Sequence, residues 1–201
     1  MSTPDLVQFS RDVFTASAQV KQAAGEALAE GIVQAARLIA QTYAEGGVVY
    51  AFGNGGSAAD AQHLVGELIG RYHRDRRPLA AVTLSADPST VTCIGNDYGY
   101  AEIFARQVQG LATSRDTVVG ITTSGRSPNV VAGLKAAQAA GARTVALTGG
   151  SGGDVVALAD VSLVVPSSET PRIQECHTTA IHALSELIEW LVLDLPLPSY
   201  G

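Results

Sequence analysis

Five short apolar runs, at 48–52, 80–84, 117–122, 144–147 and 161–165, punctuate the chain beyond its first 45 residues. Each is nearly continuous in apolar character rather than alternating. A strand with apolar side chains on both faces must be covered on both faces, and that requires helices above and below a parallel sheet. Helical patterns lie between the runs, at about 57–71, 88–95, 100–113 and 128–140, and a last one extends from near Pro171 to about Leu195. Strands alternating with helices in this way predict an α/β fold built on a doubly wound, five-stranded parallel sheet. Ligands of such sheets sit beyond the carboxyl ends of the strands.

The first 45 residues follow a different period. Val7, Phe14, Val20, Ala24, Leu28, Ile32, Ala36 and Ile39 recur at helical spacings, and Gly46-Gly47 ends the run. Two helices, or one broken near Gly25, satisfy the pattern equally. Such a stripe cannot bury itself, so it packs on the sheet or pairs with another subunit. The chain therefore divides into an N-terminal helical segment, 1–45, and a sheet domain, 46–201.

Composition removes several function classes. Apolar residues make up 46% and charged residues 16% of the 201, below the ~25% charged of ordinary globular chains, which excludes disorder. A formal charge of −6 argues against a nucleic-acid backbone as partner. The basic run from Arg71 to Arg77 reads as a solvated, helix-ending face. No stretch approaches the ~18 apolar residues of a membrane span, and Met1–Asp5 has no secretory pattern. Cys93 and Cys176 stand apart and read as buried thiols, which suits a reducing, cytoplasmic setting.

Three loops follow strands on the ligand side. The first is Gly53-Asn54-Gly55-Gly56-Ser57, the second Thr122-Thr123-Ser124-Gly125-Arg126-Ser127-Pro128, and the third runs from Thr148 to Gly153. None is a dinucleotide fingerprint or a Walker A loop. Glycines and hydroxyls opening onto helix N-termini offer donors to an anion. Ser127 reads as a helix N-cap with Pro128 in the first helical position. Without a lysine or a magnesium-binding acid, the first two loops suit holding a phosphate monoester rather than transferring it. The third reads as a tight turn.

Two pairs of residues carry possible chemistry. His63 and Glu67 are four apart and share a helix face. Gln174 and His182 are eight apart, about 80° around a helix, close enough to converge. Together they are candidate ligands for a divalent metal, zinc first by ligand type, or a general base and acid. An isolated His/Glu pair at this spacing also occurs as a plain surface hydrogen bond. His73 and His177 lack such partners and read as structural.

The segments GNGGSAADAQHLVGELIGRY (53–72), CIGNDYG (93–99), ITTSGRSPNV (121–130) and RIQECHTTAIH (172–182) resemble the phosphoheptose isomerases of the sugar-isomerase (SIS) domain superfamily, over nearly the whole chain. The resemblance implies a SIS domain with a flavodoxin-like sheet, and an aldose–ketose isomerase that converts D-sedoheptulose 7-phosphate to D-glycero-D-manno-heptose 7-phosphate for activated heptose synthesis. By residue, it implies that Asn54, Gly55, Gly56 and Ser57 touch substrate, that Asn96 and Asp97 hold sugar hydroxyls, and that Thr122, Thr123, Ser124 and Ser127 cradle the phosphate. It also implies that Arg71 stands near the substrate. It further implies that His63, Glu67, Gln174 and His182 form a metal set for one Zn²⁺ per site, with Glu67 and Gln174 also contacting substrate, and that Glu67 and His182 are the acid/base pair. A homotetramer with sites shared between subunits is implied as well, with neither nucleic acid nor membrane as partner. Pro171 departs from the acidic residue of several relatives. Noncatalytic SIS relatives of the type that associates with a replication initiator resemble the pattern poorly at Glu67 and His182, and this chain has both. Isomerases of other sugar phosphates, such as arabinose 5-phosphate, usually carry an added regulatory tandem domain, for which 201 residues leave no room.

Overall fold

A computed structural model describes residues 5–195, so residues 1–4 and 196–201 at the outer ends of the two expected segments lie outside the described residues. Its strands are β1 (Val49–Gly53), β2 (Ala81–Thr83), β3 (Thr117–Ile121), β4 (Arg143–Gly149) and β5 (Val161–Val165). They form one all-parallel sheet in the order β2-β1-β3-β4-β5. The helices are α1 (Leu6–Ala44), α2 (Gly56–Ile69), α3 (Pro88–Tyr98), α4 (Ala105–Leu111), α5 (Pro128–Ala139) and α6 (Thr170–Leu193). Central strands β1 and β3 are buried at every residue, as their unbroken apolar runs require.

Alternate residues of the strands feed two cores. Val119 and Leu147 pack with Ile39 of α1, Leu64 and Leu68 of α2, and Ile181 and Leu184 of α6. Val118 and Ala146 pack on the other face with Phe104, Leu134 of α5 and Phe52. The sheet is therefore covered on both sides, and the order reverses at β1 and β3. Their carboxyl ends open into the first two glycine and hydroxyl loops, at the switch point where such folds bind ligands.

Four sequence expectations are refined or corrected. α1 is one unbroken helix of 39 residues that passes through Gly25. The ~1 kcal/mol that glycine costs inside a helix is outweighed by Ala24, Leu28, Ala35, Ala36 and Ile39, which bury against the core. The helix expected over 100–113 divides into a 3-10 turn, Tyr100–Glu102, and α4. Phe104 lies at the division and stacks on Phe52 with ring centroids 4.6 Å apart. Cys93 is exposed on α3, whereas Cys176 is buried as expected. The Arg71–Arg77 run is not wholly a solvated face, because the Arg76 side chain is buried against Glu189.

His177 has the structural part expected of it. It is fully buried on α6, and its Nε2–H donates to the Thr148 carbonyl at 3.1 Å, while Nδ1 has no protein partner. Burial pushes its pKa from 6.5 down to about 4, against a smaller upward pull from the Thr148 bond. The unfolded imidazole takes up a proton below about pH 6.5 and the folded one only near pH 4, so stability is whole above 6.5 and is lost as pH falls between the two. Unfolding free energy, measured by denaturant at fixed protein concentration, is expected to drop by about 2 kcal/mol more between pH 8 and pH 5 than in His177→Gln. Equal pH dependence in the two proteins would exclude His177 as the cause.

Candidate active site

The site grows from the close side-by-side packing of α2 and α6. α2 begins immediately beyond β1, and a Cβ at Gly56 would lie 2.4 Å from the Gln174 amide nitrogen. Gly56 leaves room there for the end of the Gln174 side chain. Partners then climb the two helices in step. Thr178 donates its hydroxyl to Asp60 Oδ1 at 3.0 Å, and one turn later His182 Nε2 lies 3.2 Å from His63 Nε2. His63 Nε2 is in turn 3.0 Å from Glu67 Oε1. The expected acid/base pair thus lies at the two ends of a row with His63 between them. The His63 and Glu67 side chains are 37% and 20% exposed, open enough for a ligand to reach them.

One ligating atom from each of His63, Glu67 and His182 falls within 4.8 Å of the others. Ligand atoms around a tetrahedral zinc at 2.0–2.1 Å stand about 3.3 Å apart, close to the 3.0 and 3.2 Å of this row. Two imidazole nitrogens and a carboxylate oxygen also suit a borderline cation. The donor set fits a metal ion. Gln174, the fourth expected ligand, has its amide at Gly56, two helical turns before His182.

The second loop supplies the hydroxyls. Thr122 is buried at the end of β3 with its Oγ1 3.0 Å from Ser127 Oγ. Ser127 and Pro128 occupy the cap and first helical positions of α5 as expected, but the Ser127 hydroxyl makes no capping bond. It faces Thr122 instead. Thr123 is half-buried and Ser124 exposed. The third loop, expected to be only a turn, buttresses the second. Gly125 (φ +68°) presses on Gly152 and Gly153, and its carbonyl accepts the Asp154 and Val155 N–H groups at 2.8 and 3.2 Å. A Cβ at Gly125 would strike the Gly152 carbonyl.

Several residues that position the site lie within the quoted segments but carry no expected role there. Asn129, buried at the start of α5, exchanges two amide hydrogen bonds with Asn54 at 2.9 and 2.8 Å, and the Tyr100 hydroxyl donates to Asn54 Oδ1 at 3.0 Å. The Asn54 side chain is therefore a clamp between the first loop and the second. Asp60 is buried with Oδ2 unpartnered, and burial raises its pKa against the Thr178 bond and the charge at His63. Arg71 is exposed in the turn after α2. Tyr72 beside it stands with its ring 5.7 Å from that of His182. Asn96 and Asp97 are exposed at the last turn of α3, where Asn96 donates to Asp97 at 2.7 Å. They precede Tyr100, whose hydroxyl reaches Asn54.

Comparison with known proteins identifies the family. The SIS domain family model matches residues 13–149. The phosphoheptose isomerase of Aquifex aeolicus is 50% identical over 184 residues, 92% of this chain and 96% of that protein. Among solved structures, a phosphoheptose isomerase from Neisseria gonorrhoeae superposes with a TM-score of 0.87 at 44% identity, covering 92% of this chain and 98% of that one. One from Francisella tularensis also gives 0.87, at 37% identity, covering 90% and 97%. The chain belongs to the phosphoheptose isomerases, a family of SIS domain enzymes.

Proposed function

We propose that the chain converts D-sedoheptulose 7-phosphate to D-glycero-D-manno-heptose 7-phosphate, with Glu67 as base and His182 as acid. The observation that carries this reading is the row Glu67–His63–His182 at 3.0 and 3.2 Å, which joins α2 to α6. Moving a carbonyl from C2 to C1 means taking a proton from C1 and returning one to C2 through an enediol. Glu67 Oε1 faces His63, so the other carboxylate oxygen receives the C1 proton. His182 donates to the developing enediolate oxygen. His63, Glu67 and His182 would hold a zinc ion, with Gln174, whose amide in the same chain lies at Gly56, completing the set from a neighbouring chain in a shared site; when bound the ion would supply positive charge to the enediolate oxygens. Asn54, Gly55, Gly56 and Ser57 line the sugar, Arg71, Asn96, Asp97 and Gln174 contact it, and Thr122, Thr123, Ser124 and Ser127 hold the phosphate. The phosphate is remote from C1 and C2, so its binding energy orients the reacting carbons.

Assembly follows from α1. Its first turns present Phe9 and Phe14 at 67% and 80% exposure, with Leu6 and Val7 beside them. Residues 1–45 then form the pairing element and 46–201 the SIS unit, in a homotetramer whose subunits share sites. Among the described residues no helix is long and apolar enough to cross a membrane. Two free thiols suit the reducing cytoplasm.

Glu67→Gln is expected to lower turnover by about 10²–10⁴-fold while sugar phosphate binding stays measurable by calorimetry. Elemental analysis of the unsubstituted protein, purified without chelator, is expected to give one zinc per site. Near-normal turnover in the variant would remove Glu67 from the base role, and full activity without metal would leave an acid/base pair alone.

Replacing Ser124 and Ser127 together by alanine tests the cradle. Each hydrogen bond to a charged oxygen is worth ~1.5–3 kcal/mol, so loss of both should raise KM by at least roughly 150-fold, with less effect on a sugar lacking phosphate. Equal weakening of the two ligands would place the phosphate elsewhere.

Light scattering of Phe14→Glu should show a species smaller than the tetramer expected of the unsubstituted protein, with reduced turnover. An unsubstituted protein that is monomeric and active would refute the shared site.

A further inference from the structure

The segment that follows α2 is held by a buried carboxylate for which the proposed reaction has no use. Glu189 lies on α6 seven residues beyond His182. Its Oε1 accepts the Tyr72 N–H at 2.8 Å, and its Oε2 accepts those of His73 and Arg74 at 3.0 Å each. Arg76 Nε stands 3.1 Å from Oε1, and both side chains are 1% exposed. Burial opposes the Glu189 charge, but the three N–H groups and Arg76 outweigh it and hold the carboxyl below its usual range. The Arg76 guanidinium also closes the end of α2, donating to the Glu67 carbonyl at 2.7 Å and the Leu68 carbonyl at 2.9 Å. α2 has no basic residue in its own last turn, so its terminal carbonyls depend on this cation from outside the helix.

We infer that Glu189 and Arg76 are positioning residues that set Glu67 and Tyr72 against His182. The inference rests on the acid/base reading of Glu67 and His182. A buried ion pair contributes little net stability, because desolvation offsets most of the attraction, and apolar residues of similar volume often serve as well. Apolar residues cannot direct three backbone N–H groups and two helix-end carbonyls. Glu189 fixes residues 72–74 relative to α6, the helix that carries His182. Arg76 fixes the turn of α2 that carries Glu67. Both halves of the acid/base pair are thereby joined in one rigid unit. Arg74, whose guanidinium lies 4.0 Å over the Trp190 ring, and Tyr72 beside His182 show where the held segment rests.

Glu189→Gln keeps the side-chain shape and removes the charge. Trp190 is the only tryptophan in the chain, so its emission reports whether Arg74 stays on it. The expected result is an unchanged far-UV spectrum, a red-shifted emission, a kcat lowered roughly 10–100-fold and a KM close to the unsubstituted value, because the cradle lies on other loops. The double variant Arg76→Met/Glu189→Leu removes both charges, guards against loss of folding in the single one, and should stay folded with kcat equally low. Unsubstituted kcat in either folded variant overturns the inference, and so does a kcat loss that only follows the unfolded fraction or leaves Trp190 emission unmoved. Glu67→Gln serves as the control, losing turnover with no shift in emission. Turnover surviving in that control would remove the acid/base reading instead, while the Trp190 emission and the split between kcat and KM in Glu189→Gln still decide the positioning claim.

Discussion

The rest of the site depends on how closely α6 lies along α2. The approach begins at Gly56, which leaves room for the end of the Gln174 side chain. It continues through the Thr178–Asp60 bond, the His182–His63 pair and the grip of Glu189 on residues 72–74. Because the helices are joined at both ends, residues more than a hundred positions apart in sequence keep atom-level register. Catalytic groups held to within a fraction of an ångström need this kind of support, and here backbone and helix-end groups supply most of it.

The three loops at the carboxyl end of the sheet are coupled in the same manner. Asn129 locks Asn54, so the first glycine loop and the start of α5 move as one. Gly125 seated on Gly152 and Gly153 makes the third loop a floor for the second. Neither contact is to a ligand. Their effect is to order glycine-rich backbone in advance, so that any ligand of these loops meets a lower entropic cost.

The strands and most helices were legible because their signals are local. All five runs became strands, and the ends of α2, α3 and α5 lie within about three residues of their expected positions, the scatter usual for helix ends read from sequence. The pairing of His63 with Glu67 was legible for the same reason, since i,i+4 spacing is a property of one helix. What remained hidden was tertiary. Nothing in the Arg71–Arg77 run distinguishes Arg76, which is buried, from its exposed neighbours, since the distinction is made by Glu189 more than a hundred residues later. Asn129 looked like an ordinary first-turn residue, and Gly25 looked like a break because a single-helix argument omits the packing that keeps α1 whole. The order of the row was also unreadable, for spacing placed two pairs on two helices without saying that His63 would stand in the middle.

A difficulty of the proposed chemistry points toward assembly. An enediolate is best stabilised where water is excluded, because fixed donors act more strongly at low dielectric. In a single chain, however, His63 and Glu67 remain partly exposed, and Arg71, Asn96 and Asp97 face solvent. The chain's own elements leave the mouth of the site open on that side. The first turns of α1 meanwhile carry Leu6, Phe9 and Phe14 in water, apolar area that favours association by ~25 cal/mol per Å² buried. A neighbouring chain that buried those turns while walling the mouth would satisfy both needs at once, and subunit pairing would then act on catalysis through dehydration of the acid/base row as well as through any residue the neighbour contributes.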